Sequence, residues 1–341
     1  MSDWKIYTGK GASADENPLE RLPPPPPWRR FDDAQRDTRR GQTFRPTPKA
    51  VHMVNTALYL RRPLLITGKP GTGKSSLAYA VAEELKLNRP LKWPINTRTT
   101  LQDGLYRYDA LARLRDTQQQ VQSHQQVNDT PQDVGRYIRL GPLGTALLPT
   151  ERPRVLLIDE IDKGDIDLPN DLLHVFEEGE FIIPEITRLL AYDEKYKQGK
   201  PAPEYVTVWS DDDLQVTIPD GRVRCTMFPI VFMTSNGERD FPPAFLRRCL
   251  RLDIAPPTEV SELEEIVKAH LGEELFQQAS ARISHYIREF LKERDEIPTK
   301  GHIATDQLLN LVYLVTRNAA MNAETEQEIK SELLRKLSAE S

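Results

Sequence analysis

The run GKPGTGKSS, Gly68 to Ser76, combines glycines, a lysine and hydroxyls at a spacing suited to holding phosphate. Gly68, Gly71 and Gly73 let backbone N–H groups turn inward around an anion, and Pro70 and Thr72 complete the loop. Lys74 is spaced to reach the outer phosphates of a nucleotide, the Ser75 hydroxyl to ligate Mg2+, and Ser76 opens the following helix. A second chemical run, VLLIDEID, lies some 85 residues on, from Val155 to Asp162. Four apolar residues deliver Asp159 to a metal shell, and Glu160, one residue on, is the candidate general base that polarises a water. Asp162 has an ordinary explanation, as a helix N-cap or a partner for Lys163.

A third run, PIVFMTSN, carries apolar residues into Asn236, whose carboxamide could orient the water or touch the last phosphate without adding charge. Arg247 and Arg248 follow in FPPAFLRRCLRLDI, side by side before another apolar strand.

Strands must position these groups. PLLIT at Pro63 to Thr67 reads as a short buried strand leading into the loop, with an apolar helix stripe at Leu77, Val81 and Leu85 behind it. Apolar strands that end in polar residues predict a Rossmann-like α/β core with a parallel sheet buried on both faces. Beyond Pro257 the periodicity turns helical, through Leu263, Ile266, Val267 and Leu271, a segment at about 274–292, and Leu308, Leu309, Leu311, Val312 and Leu314.

The chain has 341 residues, of which 38% are apolar and 28% charged, as in globular proteins. Its net charge of -5 argues against a dedicated nucleic-acid binder. Cys225 and Cys249 have no metal-ligand spacing and read as reduced structural thiols. The N-terminus lacks a signal-peptide core, and no apolar run spans a membrane, so a cytoplasmic protein without membrane insertion is expected. No N-K-x-D motif occurs, which excludes a guanine-specific GTPase reading. Residues 1–47 are polar and proline-dense, with five prolines from Pro23 to Pro27 before Trp28. The segment is read either as a tethered arm or as a polyproline strand that docks on a neighbouring subunit or an aromatic groove.

Together these motifs resemble the AAA+ ATPases, over about residues 48–320, and in detail their MoxR-like branch. GKPGTGKSS stands as Walker A, LLIDEID as Walker B and FMTSN as sensor 1. The resemblance implies a P-loop AAA+ three-layer core over 48–256 with a parallel sheet, then a smaller all-helical lid with a C-terminal helix over 257–341. It implies an insertion at about 97–150, whose QQQVQSHQQ run reads as a mobile loop, and a β-hairpin region at about 179–225. Within the latter, LQVTIPDGRVRC reads as a hairpin turning at Asp220-Gly221, facing a ring pore or simply solvent. The resemblance implies ATP and Mg2+ as cofactors and hydrolysis in a hexameric ring that remodels a protein partner, as a chaperone does. Von Willebrand A domain proteins are the partners it suggests. Arg248, with Arg247 second, is implied as an arginine finger completing the neighbour's site. One departure stands out: the usual sensor 2 arginine is missing from GHIATDQLL, where Lys300 or His302 substitutes or the function is lost. A nucleotide-switch scaffold and a DNA-remodelling motor are the alternatives.

Overall fold

The structure is a computed structural model that describes residues 4–9, 11, 17–31, 35–123, 131–196, 205–295, 303–317 and 321–335. The chain forms two compact units, one of residues 47–67 and 81–253, the other of residues 1–46, 68–80 and 254–341.

The first unit is built on strands. In chain order they are β1 (Leu64–Thr67), β2 (Leu91–Pro94), β3 (Tyr106–Tyr108), β4 (Ile138–Leu140), β5 (Val155–Asp159) and β6 (Glu180–Ile182). There follow β7 (Tyr205–Trp209), β8 (Gln215–Pro219), β9 (Arg222–Arg224), β10 (Ile230–Ser235) and β11 (Leu250–Asp253). Five of these form a sheet in the order β11-β1-β10-β5-β2, with every pairing parallel. Buried positions run unbroken along β1, β5 and β10. That is why their sequences are apolar throughout and carry polar groups only at their C-terminal ends.

The insertion at about 97–150 and the region at about 179–225 meet in one further sheet, ordered β3-β4-β7-β8. A parallel bridge between Arg139 and Trp209 joins the two. The hairpin expected at Asp220-Gly221 is placed differently. β8 pairs antiparallel with β7 through the turn at 210–214, while β9 pairs with β6. Asp220 and Gly221 do make a tight turn, both with positive φ, but it hands the chain from one sheet to another. Val206, Val208 and Ile218, buried against the first unit's core, hold β8 to β7 in preference to β9.

The glutamine-rich stretch, read as a loop, is helical as far as it is described. The helix Ala110–Gln122 includes Gln118, Gln119, Gln120 and Gln122, and the Asp109 carboxylate accepts from the Ala112 N–H at 2.8 Å to cap it. A capped start and good helix formers outweigh the low complexity. Residues 124–126 of that run lie outside the described residues.

The second unit has its own core, in which Leu263, Val267, Ile283, Ile287, Phe290, Leu308 and Val312 are buried. Its helices include Val260–Leu271, Ser280–Asp295, Thr305–Arg317 and Ala323–Leu333. The proline-rich segment packs onto these helices. Trp28 Nε1 donates to Asn310 Oδ1 at 3.2 Å, and its ring meets His270 and Tyr313 edge-on. The Tyr313 hydroxyl donates to the Pro24 carbonyl. Of the readings weighed from sequence, the aromatic groove holds, and the groove belongs to the same chain.

Burial pushes the Cys249 thiol up to about 12 and also raises that of Cys225. Both cysteines are free. Among the described residues no helix is long and apolar enough to cross a membrane. Trp28→Ala should destabilise the helical unit by about 1–3 kcal/mol, the range for a partly buried aromatic with a hydrogen bond. Limited proteolysis should then cut within residues 1–47 first. Unchanged cleavage and an unchanged melting temperature would show that the segment is not docked.

Candidate functional site

The phosphate loop emerges from β1 by direct continuation of Thr67 into Gly68. Gly71 and Gly73 adopt φ of 77° and 83°, the left-handed region in which a side chain would be strained. There is also no room for one. A Cβ on Gly68 would approach the Ile254 carbonyl to 2.4 Å, and a Cβ on Gly73 would approach the Phe44 ring to 2.9 Å. The loop passes into the helix Lys74–Glu84, so the first N–H groups of that helix face the loop. Lys74 is buried, and its ammonium donates to the carbonyls of Gly68 at 2.6 Å and Lys69 at 2.9 Å. Thr72 Oγ1 donates to the Lys69 carbonyl, Pro70 is exposed, and Ser75 and Ser76 are half-buried.

Two neighbours of this loop had no signal in the sequence. In the helix Arg36–Thr43, Arg40 Nε donates to Ser76 Oγ at 3.1 Å, and its guanidinium lies 4.4 Å from the centre of the Tyr79 ring. Gly41 comes so close to the same helix that a Cβ would meet the Tyr79 carbonyl at 2.7 Å. On another side, a Cβ on Gly71 would meet Ala304 Cβ at 2.6 Å and Asp306 Oδ1 at 2.9 Å. The segment that lacks the sensor 2 arginine therefore touches the phosphate loop and brings an aspartate to it. Lys300 and His302, the suggested substitutes, lie outside the described residues.

The acids belong to the other unit. Parallel pairing of β10 with β5 sets Met233 beside Ile158, and so Thr234 beside Asp159. Thr234 is buried, and its hydroxyl donates to Asp159 Oδ1 at 2.8 Å while accepting the Glu160 N–H at 2.9 Å. One side chain thereby orients both acidic residues. Lys92, from the neighbouring β2, contacts Asp159 Oδ2 at 2.8 Å. Glu160 sits at φ 62°, ψ 50°, an uncommon conformation for a residue with a side chain, which turns the chain sharply at the strand end. Its carboxylate is about half exposed and meets Lys163 Nζ at 3.0 Å.

Asp162 corrects the sequence reading. It neither caps a helix nor pairs with Lys163. It is buried, and its Oδ2 accepts the N–H groups of Asn236 at 2.9 Å and Glu238 at 3.1 Å. Arg239 Nη1 adds a bond to the Gly164 carbonyl at 2.8 Å. The loop after β10 is thus strapped to the turn after β5, and Asn236 is placed by its backbone. Its side-chain Nδ2 lies 3.5 Å from Glu238 Oε1.

Arg247 and Arg248 end the helix Pro243–Arg248, which feeds directly into β11. Arg62 fixes the end of that helix, with Nε and Nη2 donating to the carbonyls of Arg248 and Arg247. Arg248 Nε is paired with the Glu177 carboxylate, while Arg247 is exposed.

Ser75 and Asp159 are hard oxygen donors, and among the described residues no group of three or more His, Cys, Asp or Glu could hold a metal ion. Each of the two is by its chemistry a ligand type that Mg2+ accepts beside waters and phosphate oxygens.

A glycine-lined loop between a parallel strand and a helix, with acids at the end of another strand of the same sheet, defines a nucleotide-binding α/β protein of the P-loop class. A family model for the AAA domain, dynein-related subfamily, matches residues 63–249. As this is more than half of the chain, the chain belongs to that family and so to the AAA+ ATPases. No curated protein matches in sequence. Among solved structures, the chain is similar to the structure of C. elegans PCH-2 at 13% identity and a TM-score of 0.33, over 82% of this chain and 70% of that one.

Thr234→Val should leave the N–H of Glu160 and one oxygen of Asp159 without their partner. About 1–3 kcal/mol of stability should be lost, with Thr234→Ser retaining most of it. Equal melting temperatures for the valine and serine variants would remove the hydroxyl from this role.

Proposed function

We propose that the chain hydrolyses ATP with Mg2+ in an oligomeric ring, hexameric as in the MoxR-like proteins it resembles, and remodels a protein partner as a chaperone does. The observation that carries this reading is the double hydrogen bond of Thr234, which fixes Asp159 while the left-handed turn at Glu160 leaves the next carboxylate half exposed. A protein that only binds nucleotide needs no second, accessible acid.

In this reading Gly68, Pro70, Gly71, Thr72, Gly73 and Ser76 surround the phosphates. Lys74 exchanges its bonds to the loop carbonyls for bonds to phosphate oxygens. Ser75 and Asp159 hold Mg2+, which neutralises charge on the phosphates when bound. Glu160, released from Lys163, accepts a proton from the attacking water, and Asn236 orients that water. Arg248 is the finger supplied to the neighbouring subunit. Association would have to draw it away from Glu177, which makes assembly a condition for turnover. Arg247, already exposed, is the second candidate. A von Willebrand A domain protein is the proposed partner, on the MoxR resemblance alone, and the cytoplasm the proposed compartment. The boundaries 1–47, 48–256 and 257–341 are retained as the functional division into extension, nucleotide-binding core and lid.

Lys74→Ala should lose ATP binding, whereas Glu160→Gln should retain ATP and turn it over about 10²- to 10⁴-fold more slowly. Isothermal titration and a phosphate-release assay separate the two. Unchanged turnover in Glu160→Gln would remove the proposed base. Turnover that requires DNA would instead favour a DNA-remodelling motor, and ATP binding without turnover a switch scaffold.

Arg248→Ala should bind ATP normally and hydrolyse it about 10³-fold or more slowly. Mixed with Lys74→Ala protein, it should regain activity at interfaces that pair an intact loop with an intact arginine. Co-assembly, seen by native mass spectrometry, without recovery would exclude Arg248 as a trans group. The same mixing with Arg247→Ala tells the two arginines apart.

A further inference from the structure

A cavity of about 590 Å³ lies in the β-rich unit, lined by the segment that leads into β5, including Leu148 and Pro153, and by β8 with its preceding turn, including Leu214 and Val216. The nucleotide chemistry does not use it. Arg154, immediately before β5, is one of its walls. β5 rises about 3.3 Å per residue, so the cavity stands at the opposite end of that strand from Asp159.

Arg154 is only 9% exposed. Its Nη2 donates to Asp212 Oδ2 at 2.8 Å, and its Nε is buried with no acceptor. Among the described residues Nη1 has no hydrogen-bond partner, and Arg154 lines the cavity. Asp212 does not compete for it. Burial would push that carboxyl up, but the Ser210 hydroxyl at 2.6 Å and the Arg154 guanidinium hold it below its ordinary range. With Arg152 also in the lining, the cavity walls carry two cations against one carboxylate that is already engaged. An anion fits here, and the aliphatic lining suits an apolar group beside it.

The wall formed by β8 specifies the shape of the occupant. β8 is the last strand of its sheet and, among the described residues, pairs with β7 alone. The Ser210 N–H donates to the Leu214 carbonyl at 2.8 Å, which sets the alternation of the antiparallel ladder. Val216 and Ile218 therefore bond to β7, while Gln215 and Thr217 turn their N–H and C=O groups outward. Pro219 falls on the same outward set, where a missing N–H breaks no ladder bond. Gln215 and Thr217 both line the cavity.

We propose that this cavity binds the C-terminus of a partner polypeptide, laid as an added strand along β8 with its terminal carboxylate on Arg154 and an aliphatic last residue among Leu148, Leu214 and Val216. Main-chain bonds to Gln215 and Thr217 supply affinity, and the carboxylate and the apolar side chain supply selection. A chain end is favoured over an aspartate or glutamate side chain. An internal acidic residue would have to carry chain past the cavity lining on both sides of its carboxylate, whereas a terminus ends at Arg154 and leaves no further chain to accommodate.

The test is fluorescence polarisation on the full chain with labelled tetrapeptide mixtures ending in Leu, Ile or Val, as free acids and as C-terminal amides. A third mixture carries an internal aspartate and an amidated end. The free acids should bind, and the amides should bind about tenfold more weakly or worse, because the charge-assisted bond is lost. Arg154→Lys keeps a cation for Asp212 but lacks Nη1, and it should erase the difference between acid and amide. Thr217→Pro should weaken the acids while ladder bonds to β7 persist, with circular dichroism reporting the fold. The comparison of acid with amide on the unaltered chain stands even if a variant fails to fold. Equal binding of acids and amides, no binding at about 1 mM, or equal binding of the internal aspartate would each overturn the proposal.

Discussion

The pairing of β10 with β5, parallel and buried on both faces, is the constraint from which the acidic half of the site follows. Inside such a sheet there is no water to satisfy a polar side chain, so polar groups appear only where the strands end. The two strands end in register, and Thr234 meets Asp159 there because Met233 lies beside Ile158. The strand-end turns are then tied to each other through Asp162 and Arg239. Removing a single register step would point Thr234 away from both acids, since side chains alternate along a strand.

The loop after β1 follows a different logic. Its glycines are required less by flexibility than by crowding, since the Ile254 carbonyl, Phe44, Ala304 and Asp306 occupy the places where side chains would stand. The N-terminal helix and the helical C-terminal segment thus share one surface, the backbone of the phosphate loop. Arg40 adds a polar tie from the N-terminal helix to the helix that follows the loop.

Electrostatics across the β-rich unit is a matter of pairs held at strand ends. Lys92 on Asp159, Lys163 on Glu160, Glu177 on Arg248 and Asp212 on Arg154 each neutralise a charge that would otherwise be left at the edge of a buried strand or helix. The first three involve groups proposed to act on nucleotide, so turnover in the proposed cycle would exchange these partners for phosphate, water and a neighbouring chain. Partly exposed pairs of this kind are weak, which makes such exchange inexpensive.

The sequence by itself determined the buried strands of the parallel sheet and the glycine-rich loop that follows the first of them. Strands buried on both faces are uninterrupted apolar runs, and the loop between β1 and its helix is readable because only glycines tolerate that backbone. The family assignment follows from these local patterns. Asp162, Thr234, Arg40 and Asp306 were out of reach, because each acts on residues distant in sequence and none is unusual in its own neighbourhood. The same holds for β8 and β9. Their sequence has the alternation and turn of a hairpin, and which edge each strand joins is decided by burial against Val206 and Val208 and by the partner edges that β7 and β6 offer. The proline-rich segment is the clearest case: its composition specifies an extended strand without a core of its own, and only the folded helices supply the groove for Trp28 and Pro24.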